Sequence, residues 1–198
     1  MLDLTGRLIV IVGGGGVAAR KVAGLLEAGA TQVRVVAPKI NPEIPAEIER
    51  ITASYDSKYL DGAMLAFAAT DSPAVNERVV ADARGRGILV NRADGEGDFS
   101  TPAKFQEGEV IVTVTAQSAA LAVAIRNDLA HRLDPRYANM AHAMLTLRPA
   151  ILNSSLTPAK RSQALRALAT DEALDVLARD GSDALLDWLR KKYPELKR

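Results

Sequence analysis

Four consecutive glycines stand between a solid apolar run and an amphipathic one in IVIVGGGGVAARKVAGLL, residues 9–26, and no other stretch constrains the fold as tightly. RLIVIV, residues 7–12, is a short β-branched run closed by glycine, the pattern of a strand buried on both faces of a parallel sheet. After it, Val17, Ala18, Val22, Leu25 and Leu26 fall on one helical face, and Gly29 stands where a glycine ends a helix. Gly13, Gly15 and Ala18 satisfy G-x-G-x-x-[GA] directly after a strand and at the opening of a helix. A dinucleotide pyrophosphate must reach the free N–H groups and the positive end of that helix, and a Cβ here would hold it off. The plainer alternative is a tight strand-to-helix turn; the flanking elements favour dinucleotide binding.

The pattern then repeats. VRVVAP, residues 33–38, reads as a second strand, AMLAFAAT, residues 63–70, as a third, a helix opens near Pro73, and ILVNRA, residues 88–93, reads as a further strand. Alternating strands and helices predict an α/β fold, a Rossmann-type doubly wound parallel sheet. After Asp94 a glycine-rich loop, AKFQ, the turn EGE and the alternating EVIVTVT predict a hairpin appended to the sheet, and everything beyond Ser118 reads as helix. The expected organisation is a nucleotide-binding domain over 1–108, a dimerisation region over 109–140 and a helical C-terminal domain over 141–198. Thr157 is placed to cap a helix displaying Lys160, Arg161 and Arg166 on a solvated face, Trp188 and Leu189 pack the small domain, and KKYPELKR reads as a solvated tail.

Composition removes several classes of function. Lys plus Arg number 25 against 24 Asp plus Glu, so no global field draws the chain to nucleic acid or to a membrane surface. With no cysteine there is no disulfide, thiolate metal site or cysteine nucleophile. The N-terminus has its acid before its apolar run and reaches glycine too soon for a signal peptide, and no run approaches the roughly 20 residues that span a bilayer. A soluble, cytoplasmic protein is expected. His131 and His142 lack the i to i+4 spacing of a ligand pair, so no protein metal site is expected.

The ribose end is ambiguous. Where an acid usually holds the 2′-hydroxyl, the chain reads Val36, Ala37, Pro38, Lys39, and Lys39 alone tilts towards a 2′-phosphate.

GGGGVAARK, AATDSPAVN (68–76), NRAD (91–94) and DFSTPA (98–103), in this order, resemble precorrin-2 dehydrogenases, the siroheme-synthesis family that includes sirohydrochlorin ferrochelatases. The resemblance covers nearly the whole chain. It implies a homodimer that oxidises precorrin-2 to sirohydrochlorin with NAD as acceptor, NAD contacting Gly16, Val17, Pro38 and Lys39; on that point it outweighs Lys39. Thr70 and Asp71 would border the same crevice. The family's key acid matches Asp94, just past a strand end, where a carboxylate is the right group to take a proton from carbon or pyrrole nitrogen; read alone, Asp94 is more readily a loop or capping aspartate, and the motif match reverses that order. Asn91 would fix the strand end or touch the nicotinamide.

Precorrin-2 is a polycarboxylate, so Arg92, Lys104 and Arg126 are candidate partners for its acid arms, with Ser118 in the adjoining loop. Some relatives also insert Fe2+, and the sequence neither grants nor excludes that. One departure stands out: relatives carry a loop of the type S-T-G-G-x-S-P, whereas VTVTAQSAA here has no double glycine, leaving the roles of Thr115, Ala116 and Ser118 open. The competing reading is an NAD-binding regulatory module without redox activity; such sensors bear an acid after the second strand, which this chain does not.

Overall fold

The computed structural model describes residues 2–196. The chain forms two compact units, Met1–Thr101 and Pro102–Arg198.

In the first unit, β1 (Leu8–Val12) is the central strand of a five-stranded parallel sheet. With β2 (Gln32–Ala37), β3 (Glu49–Thr52), β4 (Ala63–Ala68) and β5 (Leu89–Arg92), the order is β3-β2-β1-β4-β5. The β-branched run explains the central position, because its side chains are buried on both faces. Ile9 and Ile11 pack with Ala18, Val22 and Leu25 of α1 (Gly16–Glu27). Val10 and Val12 pack on the other face with Val79, Val80 and Ala83 of α2 (Pro73–Gly85). Each valine, leucine or isoleucine among them contributes about 1.5–3 kcal/mol when fully withdrawn from water. Since β1 leads outward to β2 while β4 returns on its other side, the sheet has a switch point at the carboxyl ends of β1 and β4, where α/β proteins hold ligands.

The helical face of α1 differs in detail from the sequence reading. Ala18, Ala19, Val22 and Leu25 are its buried residues, while Val17 and Leu26 are exposed. Gly29 has φ +83 just beyond the end of α1, as a helix-ending glycine should. The strand β3 was not foreseen: ERIT is short, lies at the sheet edge and carries one apolar side chain, so it has no hydrophobic signature.

Beyond β5 the chain doubles back along the sheet edge. The Asp98 N–H donates to the Val90 carbonyl at 2.7 Å and its carboxylate accepts from the Val90 N–H at 3.0 Å, so Asp98 occupies hydrogen-bonding positions of a missing strand. Gly97 permits this approach, since a Cβ there would lie 2.6 Å from the Val90 carbonyl oxygen.

The second unit opens with β6 (Ala103–Glu107) and β7 (Val110–Val114), an antiparallel hairpin. It is a separate two-stranded sheet, not an appendage of the large one. A boundary at residue 108 would cut its turn; the unit begins at Pro102 because the hairpin pairs within itself and with α3 (Ala119–Arg132). Then α4 (Arg136–Leu152), α5 (Pro158–Ala167) and α6 (Asp171–Lys192, broken at Gly181) build a helical core around Leu147, Ile151, Ala164, Leu174, Leu185 and Leu189. Thr157 caps α5 as expected, accepting from the Lys160 N–H. Trp188 packs on this core. Arg161, read as solvated, donates instead to the Ser154 carbonyl at 2.6 Å. The end of the chain is tied down up to Leu196, which is buried, and Glu195 pairs with Lys160. Residues 197 and 198 of the expected tail lie outside the described residues.

Candidate functional site

At the switch point β1 runs into the four glycines, and two of them are required by the protein's own backbone. A Cβ on Gly13, whose φ is +129, would lie 2.2 Å from the Ala69 carbonyl oxygen, and one on Gly14 would lie 2.0 Å from that of Lys39. Here the chain threads between the ends of β4 and β2, held by Gly13 N–H to Val36 O at 2.9 Å and Asn41 N–H to Gly14 O at 2.8 Å. Gly15 is different. It is the N-cap of α1, a Cβ there would meet nothing within 4 Å, and no capping side chain or acidic residue occupies the first turn. The positive end of α1 thus carries no acidic residue or side-chain cap of its own.

Gly13, Gly15, Gly16, Val17, Pro38, Lys39, Thr70 and Asp71 all line one cavity of about 520 Å³, bringing together residues that are far apart in the sequence. Thr70 is fixed there by Asn76, which is fully buried in α2. Ser72 caps α2 by accepting from the Val75 N–H, which shapes the rest of the rim. Ser54 and Tyr55 also line the cavity and were missed, because they follow the unrecognised strand β3. The Tyr55 hydroxyl donates to Asp82 at 2.9 Å, and Arg78 lies 5.6 Å over its ring. Burial, then the bond to Asp82, pushes the phenol far above its usual range, so it stays neutral.

Asn91 is not among the lining residues of that cavity. Its side chain is buried, its Nδ2 donates to the Phe99 carbonyl at 2.8 Å, and Oδ1 has no partner among the described residues. The Phe99 ring meets Phe67 of β4 edge-on at 5.4 Å, and the Lys21 ammonium lies 5.1 Å from the Phe67 centroid. Asn91 and Phe99 thus latch the loop that carries Asp94 onto the sheet.

Asp94 follows the last backbone bond of the sheet, from Ala93 N–H to Ala68 O at 2.9 Å, at the same carboxyl edge as Thr70. It is not among the cavity-lining residues either. Arg92 grips it, with Nε to Oδ1 at 2.7 Å and a second nitrogen to Oδ2 at 3.3 Å. The guanidinium, with a smaller effect from the Asn76 amide, holds the Asp94 carboxyl below the usual carboxylate range. Asp94 is therefore a carboxylate at neutral pH, and Arg92 already has a partner.

In the second unit Lys104 lies on β6 and Arg126 on α3, with Arg126 donating to the Lys104 carbonyl at 3.3 Å; its buried Nε has no partner among the described residues. Ser118 is the N-cap of α3. His131 sits on α3 with Nδ1 2.6 Å from the Asn127 carbonyl, and His142 on α4. Among the described residues no cluster of three or more metal-ligating side chains forms, and no helix is long and apolar enough to cross a membrane.

A parallel sheet with an open helix N-terminus in a glycine-lined crevice at its switch point defines a Rossmann-type dinucleotide-binding protein. Residues 1–103 match the family model described as "Putative NAD(P)-binding", and the chain belongs to that family. It is 37% identical over 159 residues to a siroheme synthase of Chromobacterium violaceum, covering 76% of this chain and 34% of the relative. To a siroheme synthase of Photorhabdus laumondii subsp. laumondii it is 38% identical over 149 residues, covering 71% and 32%. The chain thus spans about a third of the length of these relatives. Among solved structures, SirC, a precorrin-2 dehydrogenase, superposes with a TM-score of 0.77 at 26% identity over 96% of this chain and 98% of that one. The motif resemblance to the precorrin-2 dehydrogenase and siroheme synthase group is borne out in both sequence and fold.

Proposed function

We propose that this chain is an NAD-dependent dehydrogenase that oxidises precorrin-2 to sirohydrochlorin in siroheme synthesis. The observation that carries the proposal is the similarity to a precorrin-2 dehydrogenase along nearly the entire chain. The dinucleotide cavity supports it. The open α1 N-terminus at Gly15 and Gly16 receives the pyrophosphate, Pro38 and Lys39 bound the adenosine ribose, and Thr70 and Asp71 border the crevice towards the nicotinamide. When bound, NAD supplies the hydride acceptor. Asp94 takes the proton that leaves the macrocycle alongside the hydride, and it has the required charge, being ionised at neutral pH. Asn91 acts through the loop it latches, setting where Asp94 stands.

Arg92 in the first unit is assigned to a carboxylate arm of the substrate; Lys104, Arg126 and Ser118, in the second unit, are separate candidates for such arms. NAD is preferred to NADP on the motif resemblance, although Lys39 by itself would tolerate a 2′-phosphate. A homodimer is part of the proposal: Leu121, Ile125 and Leu129 make an exposed apolar stripe on α3, in the region assigned to dimerisation. The cysteine-free composition suits a reducing compartment, and a cytoplasmic location belongs to the same reading.

The test is anaerobic incubation with precorrin-2 and NAD, following NADH absorbance and the sirohydrochlorin spectrum together, with Asp94→Ala alongside. Growth of both signals in the wild type and their loss in the variant supports the assignment. Tight NAD binding without either product would replace it with a nucleotide-sensing module. Adding Fe2+ to the completed reaction decides whether ferrous iron is a second substrate, since insertion produces the siroheme spectrum.

A further inference from the structure

Arg92, the last residue of β5, meets two carboxylates: Asp94 at 2.7 Å and Glu77 of α2 at 3.6 Å. The Asp94 contact is a fork, with both carboxylate oxygens engaged, the strongest geometry available to an exposed pair. Both groups remain reachable, with 19% of the Arg92 side chain and 34% of the Asp94 side chain exposed. A carboxylate held this way is a poor base, because protonating it discards the ion pair. A general base works best with a pKa near the operating pH, so the resting geometry opposes the role assigned to Asp94.

The substrate class removes the conflict. We propose that Arg92 is a carboxylate-exchange site: an acid arm of the polycarboxylate tetrapyrrole displaces Asp94 from the guanidinium, and Asp94 becomes an effective base when substrate is bound. The inference rests on the dehydrogenase reading above and adds a trigger to it. Exchange of one carboxylate for another leaves Arg92 neutralised throughout, so it avoids stranding a charge. Around Asp94 the charged groups are Arg92 of β5 and, behind it, Glu77 of α2, with Asn76 of α2 as a neutral donor. Once the substrate arm holds Arg92, the guanidinium no longer forks Asp94 and its charge is offset by the new carboxylate and Glu77. Both changes favour protonation of Asp94. In the step that follows, the macrocycle loses two hydrogens. One leaves with its electron pair as hydride to the nicotinamide of NAD, and the other as a proton to Asp94, which releases it to solvent.

The test compares the wild type, Arg92→Gln, Arg92→Lys and Asp94→Asn as full chains, each checked for folding by circular dichroism. With precorrin-2 and NAD, the acid limb of kcat/KM reports free enzyme and that of kcat reports the complex. In the wild type the kcat/KM limb is expected at lower pH than the kcat limb. In Arg92→Gln it moves up to meet it, while KM rises about tenfold or more through loss of a charged hydrogen bond. Using one substrate throughout cancels the titration of its own acids when the kcat/KM limbs of the variants are compared with one another. Arg92→Lys, which keeps the cation without the fork, falls between. Independently of turnover, the Asp94 carboxyl carbon followed by NMR titrates at higher pH in Arg92→Gln than in the wild type. An unmoved kcat/KM limb in Arg92→Gln, or an Asp94 carboxyl that titrates at the same pH in both proteins, overturns the exchange. Full activity in Asp94→Asn overturns instead the assignment of Asp94 as base.

Discussion

Asn76 holds Thr70 on three atoms: its Oδ1 accepts from the Thr70 N–H at 3.1 Å and hydroxyl at 2.8 Å, and its Nδ2 donates to the Thr70 carbonyl at 3.1 Å. A side-chain amide is the group that can do this, because it offers an acceptor and a donor in one plane. Thr70 thereby stands fixed at the rim of the dinucleotide cavity. Asn76→Ala takes these partners from the Thr70 N–H and carbonyl, leaving the hydroxyl only its bonds to Ser72, and opens a void; it is expected to cost about 2–4 kcal/mol. Urea denaturation measures that cost. Dinucleotide affinity, by calorimetry on the folded fraction, should fall with it; an unchanged midpoint would show that the Thr70 turn holds without Asn76.

The four glycines separate into two pairs with different jobs. Gly14→Ala drives a methyl into the Lys39 carbonyl oxygen, so it should destabilise the protein by about 3 kcal/mol or more even without cofactor. Gly15→Ala meets no protein atom within 4 Å, so its melting temperature should stay near that of the wild type while NAD affinity drops about tenfold or more. Thermal melts and calorimetry on both variants make the comparison. Equal loss of stability in the two would mean that Gly15 too is a packing glycine.

That division marks how far the sequence could be read. The strand-glycine-helix junction, the parallel sheet and the helical second half were legible, because β-branched runs and amphipathic periods are strong local signals. The crowding at Gly13 and Gly14 was not, since it depends on where Ala69 and Lys39 return in space. Nor was the Tyr55 wall, which follows a strand with one apolar residue, or the burial of Asn91 under Phe99. The motif singled out Asp94 as a candidate and the substrate's charge singled out Arg92, but their mutual clamp is a side-chain choice that no spacing rule encodes.

Asp98 supplies a prediction in pH. Its carboxyl lies below the ordinary 3.8, first through the Val90 N–H and then through Arg84. A group whose folded pKa is depressed contributes stability above its unfolded pKa and loses it as pH falls through the folded value. Asp98→Asn should therefore lower the melting temperature most at neutral pH, with the gap to wild type closing as pH falls from about 4 downward. A gap that stays constant with pH would mean that the shape of the side chain, not its charge, holds the sheet edge.

The stripe of Leu121, Ile125 and Leu129 on α3 follows i, i+4, i+8 spacing, with the three residues 52%, 39% and 40% exposed. A helix that packs one row against its own hairpin and leaves an adjacent apolar row open is built to be covered. Covering three side chains that are already about half buried contributes roughly 1 kcal/mol each. If a second copy covers them, the wild type should run as a dimer by light scattering, and its melting temperature should climb with protein concentration by mass action. Ile125→Glu places a charge in the middle of the stripe. It should yield a folded monomer whose melting temperature no longer depends on concentration. A wild type that stays monomeric at tens of micromolar would assign this face to something other than a second copy.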